Sequence, residues 1–148
     1  MKTESWNIRS HADMQTALAQ IGQAQIPCTL TLKPGEEKRR DRQNRFAFEA
    51  YKQIAQILGD RSVDDVRAEC KLHCGVPMLR VEDDDFREKY DQHVRGLPYE
   101  TKLAIMVEPF DFPVTRLMSV KQMARYITAM LAHFDAQGAS VMLPDYDL

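Results

Sequence analysis

The strongest constraint on the fold is a run of apolar residues near the C-terminus, between Ser119 and Gly138. Its members recur every three or four positions, as the buried face of a helix requires, and they are Val120, Met123, Ala124, Ile127, Met130, Leu131 and Phe134. Ser119 and Gln122 stand where a capping box would begin such a helix. Gly138 stands where the helix would end. The pattern predicts a long helix packed on the core.

The middle of the chain shows the same periodicity in further segments. One helix is predicted to begin after Asp41 as N-cap and to end at Gly59, with an apolar stripe formed by Phe48, Tyr51, Ile54, Ala55 and Leu58. A second is predicted from Ser62 to Gly75. A third is indicated by residues recurring at spacing four, namely Phe86, Tyr90 and Val94. Another short helix follows Pro98.

The first 35 residues instead show the alternation that is typical of half-buried strands. Trp6 and Ile8 alternate with polar neighbours, and Cys28–Leu32 does the same. A helix capped by Asp13 is predicted between them. We therefore predict an α+β fold: a small N-terminal sheet (strand–helix–strand) followed by four or five helices. Because two strands alone make a poor sheet with open edges, we expect dimerisation that extends or covers it.

Size and composition are those of an ordinary globular protein. The chain has 148 residues, of which 44% are apolar and 28% charged, so we predict one domain over residues 1–148. No apolar run approaches the ~20 residues that span a bilayer, and the N-terminus lacks the apolar stretch of a secretory signal. Three cysteines fit a reducing compartment. We expect a cytoplasmic protein without a membrane partner.

The run from Lys38 to Arg45 is the stretch most informative about function. It holds one anion, Asp41, and five cations, on a chain whose net charge is −2; the cations are Lys38, Arg39, Arg40, Arg42 and Arg45. Guanidinium groups suit phosphate because their planar fork binds it bidentately. The macrodipole disfavours cations at a helix start, whereas the open backbone N–H groups there suit an external anion. We interpret the run as a nucleic-acid backbone contact; the alternative is a solvated, charge-rich loop.

Three neighbouring residues complete the predicted site. Gln43 and Asn44 carry amides that hydrogen-bond base edges or sugar–phosphate oxygens, and Asn44 lies on the predicted buried stripe, where it would order the loop. Phe46 lies off that stripe and is the first candidate for an exposed ring that stacks on bases or wedges between them. Further candidates come from loop-like segments, namely Tyr99, Phe110 and Phe112. The alternative is that these rings belong to the core.

A secondary basic group surrounds the predicted start of the last helix and consists of Arg116, Lys121 and Arg125. Lys121 and Arg125 share a helix face at spacing four. This group would extend the binding track, and the alternative is a solvated polar face.

Two patterns could hold a metal ion. Cys70-x-x-His73-Cys74 would share one helix face, but zinc needs a fourth ligand, which only Cys28 or His93 could supply from afar. Buried free cysteines are the simpler interpretation. The acidic run Glu82–Asp85, with Asp111, could bind Mg²⁺ in a nuclease or junction resolvase, although consecutive carboxylates more often begin a helix. We expect no metal, no cofactor and no catalysis; a Mg²⁺-dependent nuclease is the alternative.

The basic run also carries a family resemblance. The pattern Arg40-x-x-Gln43-Asn44-Arg45-x-x-Phe48 resembles the R-x-x-Q-N-R-x-x-W signature of phage NinB/Orf recombination proteins, with Phe48 in place of the tryptophan. Later segments are more similar to the smaller YbcN-type prophage proteins, among them Val66–His73, Phe86–Asp91 and Pro109–Met118. The resemblance implies a homodimeric phage or prophage DNA-binding protein that prefers single strands and assists homologous recombination as a mediator. It also implies cooperation with single-stranded-DNA-binding protein. Another alternative is an interaction module for the acidic tail of that partner.

Overall fold

The structure is a computed structural model that describes residues 3–33 and 37–143 of the chain. Of Glu37 and Lys38 it describes the backbone alone, so the phosphate contact predicted for the Lys38 side chain lies outside the described residues.

The chain forms two compact units, Met1–Lys38 and Arg39–Leu148. The single domain expected over residues 1–148 stays a prediction. A π-helical turn, Lys71–Gly75, and a 3-10 turn, Thr115–Leu117, interrupt a series of α-helices. Within the described residues these helices are α1 His11–Gly22, α2 Glu37–Leu58, α3 Val63–Cys70, α4 Val76–Glu82, α5 Asp84–His93, α6 Tyr99–Ile105 and α7 Val120–Asp135.

The predicted N-terminal sheet is wrong, because the described residues contain helices and irregular chain but no strand. The segments around Trp6 and Ile8 and at Cys28–Leu32 are irregular, and the side chains of Leu30 and Leu32 are exposed. Alternating apolar residues form a strand only where another strand pairs with them. The fold is therefore all-helical in its described part, and open strand edges no longer supply a reason for dimerisation.

The first helix also begins differently from the prediction. Its N-cap is Ser10, whose hydroxyl oxygen accepts the backbone N–H of Asp13 at 3.2 Å. Asp13 is the third helical residue, and its carboxylate accepts the backbone N–H of Arg9 at 2.9 Å. Both side chains satisfy N–H groups at the helix start that would otherwise lack partners.

The long C-terminal helix is confirmed as predicted. Ser119 and Gln122 form the capping box of α7, and Gly138 follows its end with a positive φ of 89°. The inward face of α7 is fully buried and consists of Met123, Tyr126, Ile127, Met130 and Phe134. This helix supplies one wall of the core in the C-terminal unit.

The helix predicted to end at Gly75 continues through the π-helical turn into α4. Its start is as predicted, with a capping box between Ser62 and Asp65. At Gly75 a Cβ atom would lie 2.4 Å from Cγ1 of Val114, so glycine permits close packing of the segment that contains Val114. Pro77 falls in the first turn of α4, where its missing N–H costs nothing.

A buried cation fixes the loop between α6 and the 3-10 turn. Lys71, in the π-helical turn, is 1% exposed, and its ammonium group donates to the carbonyl of Met106 at 2.5 Å and to Asp111 at 3.0 Å. Arg67 donates to the same carboxylate oxygen at 2.7 Å. Hydrogen bonds from Lys71 and Arg67 lower the pKa of Asp111, so the carboxylate is charged at neutral pH. Asp111, predicted as a candidate metal ligand, is thus a structural counter-ion.

Candidate nucleic-acid interface

The basic run lies in the first turns of α2, which begins at Glu37, four residues before the predicted N-cap Asp41. The inward face of α2 is buried and consists of Gln43, Phe46, Ala47, Ala50, Tyr51, Ile54 and Ala55. Residues three and four apart share a helix face, so this set places Arg42, Arg45 and Phe48 on the opposite, exposed face.

Arg40 points inward and is bound to the protein itself. Its guanidinium group donates to the carbonyl of Thr115 at 2.9 Å and to the carbonyl of Met118. Thr115 begins the 3-10 turn and Met118 follows it, so both carbonyls lie in the segment before α7. The phosphate contact predicted for Arg40 is therefore replaced by a structural one that joins α2 to the segment before α7.

Gln43 strengthens the same junction. Its side chain is fully buried, and Nε2 donates to the carbonyl of Val120 at 2.9 Å. A buried amide does not reach a base edge, so Gln43 makes no direct base contact in this structure, and its place in the nucleic-acid site stays a prediction. Asn44 was predicted on the buried stripe but is exposed. Of these two adjacent amides, Gln43 is therefore the buried one and Asn44 is the exposed one.

We expect Arg40→Met to weaken the fold and leave the exposed surface intact. The change removes two hydrogen bonds donated by a charged group. One hydrogen bond of this kind contributes about 1.5–3 kcal/mol to the free energy of unfolding. Urea unfolding measures this loss. The matched control is Arg42→Met, which should stay within about 0.5 kcal/mol of the parent; equal losses in both variants would contradict the anchoring role of Arg40.

The guanidinium groups of Arg42 and Arg45 face solvent. Both side chains are exposed, and neither forms an ion pair with any residue among 3–33 and 39–143. Arg39 is exposed as well. Most other cations of the C-terminal unit are neutralised by carboxylates of the protein, namely Lys52, Arg61, Arg67, Lys71, Arg80, Arg87, Arg95 and Arg125. Arg42 and Arg45 are therefore available to an external anion.

The earlier start of α2 changes how an anion would be bound. Arg42 and Arg45 lie beyond the first turn, so their own backbone N–H groups are engaged within the helix. The macrodipole acts only over the first turn and does not disfavour these two cations. Any phosphate near them is held by side chains, and the predicted contribution from open backbone N–H groups does not apply at these positions.

The aromatic prediction is reversed. Phe46, predicted to be exposed, is 7% exposed and belongs to the core, so it neither stacks on a base nor wedges between bases. Phe48, predicted to be buried, is 48% exposed. Lys52 lies over the Phe48 ring, with its Nζ atom 4.7 Å from the ring centroid. Phe48 follows Arg45 by three residues, so a cation and an open ring are adjacent on one helix face.

The secondary basic group contains one cation that is paired with a carboxylate and two cations that are exposed. Arg125 pairs with Glu82 and lowers the pKa of that carboxyl through the hydrogen bond. Arg116 and Lys121 are exposed and form no ion pair within the described part of the chain. The carbonyls that accept from Arg40 and Gln43 belong to the segment carrying Arg116 and Lys121. The fold thus brings these two cations beside the start of α2, across a sequence distance of more than 70 residues.

The two candidate metal patterns serve the fold. Cys70 and Cys74 are buried, and burial raises the pKa of both thiols. In the acidic run, Asp83 caps α5 by accepting the N–H of Phe86 at 3.0 Å, while Asp84 pairs with Arg87 at 3.0 Å. Across the residues that the structure describes, no three or more histidine, cysteine or carboxylate side chains are grouped as a metal ion requires.

Lys52 is the residue of this surface that the sequence analysis missed. Lys52 follows Phe48 by four residues, and on a helix this spacing predicts that its ammonium group lies over the ring.

No helix within the described ranges has the length and apolar character to cross a bilayer. In comparisons with family models, curated proteins and solved structures, none matches this chain.

Proposed function

We propose that this protein binds single-stranded or partly single-stranded DNA through the exposed face of α2. The observation that carries the proposal is the contrast between Arg42 and Arg45, which have no carboxylate partner among the described residues, and the paired arginines elsewhere in the unit. On an overall acidic chain such a local surplus binds polyanions by counterion release. The binding is therefore local and strongly salt-dependent.

The exposed ring favours a single strand over a duplex. Unpaired bases present their faces to aromatic side chains, and each base stacked on a ring contributes about 1–3 kcal/mol to binding. Phe48 lies one turn beyond Arg45, which suits a strand whose phosphate binds the guanidinium while the adjacent base covers the ring. Arg116 and Lys121 extend the positive surface beside the start of α2.

This function agrees with the resemblance to phage recombination proteins. In the signature, Arg40 and Gln43 are anchors, whereas Asn44, Arg45 and the aromatic position Phe48 are exposed. A signature that combines anchors with an exposed surface fits a binding helix. We propose a non-catalytic cytoplasmic recombination mediator, acting as a homodimer and in cooperation with single-stranded-DNA-binding protein.

The direct test is fluorescence anisotropy with a labelled single strand, the matching duplex and a fork at two salt concentrations. We expect the single strand and the fork to bind more tightly than the duplex, and all three to weaken as salt rises. Equal affinity for an uncharged control polymer, or no binding at 50 mM salt, would contradict the proposal. Binding of an acidic peptide without binding of DNA would favour a protein-interaction module instead.

We expect Phe48→Ala to weaken single-strand binding about 5- to 150-fold, the range that corresponds to stacking of one base. Duplex binding should change little, because paired bases do not offer their faces. The matched control is Phe110→Ala, which removes a ring that is 70% exposed and lies outside α2. A larger loss in the Phe110 variant would place the stacking site elsewhere.

A further inference from the structure

Two histidines stack on each other where the π-helical turn, α6 and α7 meet. The rings of His73 and His133 lie 5.3 Å apart between centroids, at an interplanar angle of 21°. Nε2 of His73 is 2.8 Å from the hydroxyl oxygen of Tyr99, the first residue of α6. Nε2 of His133 is 3.0 Å from the carboxylate of Glu69. His73 therefore links the π-helical turn to α6, and the stack links both to α7.

Few negatively charged groups near this stack could compensate for the positive charge of an added proton. Among the described residues, the one carboxylate bonded to the stack is that of Glu69, which also accepts from Arg61 at 2.9 Å and from the amide of Gln137 at 3.1 Å. Lys102, on α6, adds a further positive charge near His73. An imidazolium ring at His73 would face His133 and Lys102, while Glu69 already accepts hydrogen bonds from Arg61 and Gln137.

Helix α6 depends on contacts such as the His73–Tyr99 hydrogen bond, because it contributes no fully buried residue to the core. Leu103 and Ile105 pack only partly against the core. Its N-terminus has no side-chain cap, since the residue before it is Pro98. Segments with few buried apolar contacts open at low free-energy cost, and the Tyr99–His73 hydrogen bond is one of the contacts that hold the first turn of α6.

We infer that the stacked His73–His133 pair is a proton-operated latch, which holds the first turn of α6 at neutral pH and releases it in mild acid. A proton taken up by His73 is disfavoured by His133 and Lys102, and this repulsion drives the His73 ring out of the stack. His73 is the exposed member and the one able to move into solvent. Its departure breaks the bond to Tyr99.

The sign of the pH dependence follows from the same environment. Burial, His133 and Lys102 lower the pKa of His73 below its ordinary value of 6.5. The open state therefore binds more protons than the closed state as pH falls through and below 6.5, and the closed state loses stability in that window. At pH 7.5 His73 is neutral and the latch is closed.

The test is amide hydrogen exchange at pH 7.5 and pH 5.5, with each rate divided by the intrinsic rate at that pH. We expect protection in residues 102–106 to be lower at pH 5.5 than at pH 7.5, because the open state binds more protons as pH falls below 6.5. Protection in α7 should stay constant. In His73→Gln, which retains a polar partner for Tyr99 and takes up no proton, protection in residues 102–106 should not depend on pH.

His93→Gln is the matched control, because His93 is exposed on α5 and outside the stack; it should behave like the parent protein. An NMR titration of the ring protons gives an independent readout, with the pKa of His73 below its ordinary value of 6.5. Constant protection of α6 in the parent, or an equal fall in His73→Gln, would overturn the latch. Neither result bears on DNA binding by α2.

Discussion

Replacing Asp111 by alanine is expected to lower the free energy of unfolding by about 3–5 kcal/mol, the cost of leaving one member of a buried ion pair without its partner. Lys71 is 1% exposed and depends on this carboxylate and on the Met106 carbonyl. Asp111 also adopts a positive φ of 45°, which alanine tolerates less well than aspartate or asparagine. Urea unfolding at pH 7 measures the loss.

Two further variants separate these causes. Asp111→Asn keeps a residue that tolerates positive φ and removes only the charge, so it should lose most of the same stability. Lys71→Met should cost clearly less than Asp111→Ala, because it removes the buried charge and leaves Asp111 paired with Arg67 at 2.7 Å. A Lys71→Met variant less stable than Asp111→Ala would contradict the assignment of Lys71 as the group that needs compensation.

The same carboxylate makes the fold sensitive to acid. Hydrogen bonds from Lys71 and Arg67 hold the pKa of Asp111 below its ordinary value of 3.8. Its stabilising contribution is therefore complete above that value and is lost as pH falls through the lower, folded-state pKa.

The second large effect is expected on DNA binding. Replacing Arg42 and Arg45 together by glutamine should weaken single-strand binding roughly 25-fold at 0.1 M salt. This estimate assumes one phosphate per guanidinium and a salt exponent of about 0.7 for each contact to a single strand. Stability should change by no more than about 0.5 kcal/mol, because both side chains are exposed and unpaired within the described ranges.

Arg87→Gln with Arg95→Gln is the matched control for this variant. Both of these arginines are exposed, but Arg87 lies on α5 and pairs with Asp84, and Arg95 lies just after α5 and pairs with Asp91. The two double variants have the same net charge, so a difference between them reports the position of the arginines and not the overall charge. Equal losses would indicate general electrostatic attraction instead of a site.

The sequence predicted those helices whose caps and stripes agree with each other. In α7 the capping box, the apolar stripe and the glycine stop all indicate the same helix. In α2 the predicted stripe is correct at Tyr51, Ile54 and Ala55 but wrong at its first member, because Phe46 is buried and Phe48 is exposed. The deciding contacts reach carbonyls of Thr115 and Val120, more than 70 residues away. No local pattern contains that information.

The N-terminal strands fail for a related reason. The alternation of apolar and polar residues in Cys28–Leu32 indicates which side chains would share a face of a strand. Whether the strand forms depends on a partner strand that pairs with it. For the site, the composition of the run correctly indicated a surplus of arginine. Which arginines are anchors and which are exposed followed only from the rotation of α2, which placed Arg40 inward and Arg42 and Arg45 outward.

The dependence of single-strand affinity on salt tests the central claim most directly. Plots of log affinity against log salt concentration are compared for the parent protein, the Arg42/Arg45 variant and the Arg87/Arg95 control. If the exposed guanidinium groups of α2 bind phosphates, the slope of the Arg42/Arg45 variant is flatter than that of the parent by about 1.4, while the control keeps the parent slope. An unchanged slope in the Arg42/Arg45 variant would contradict the proposed interface.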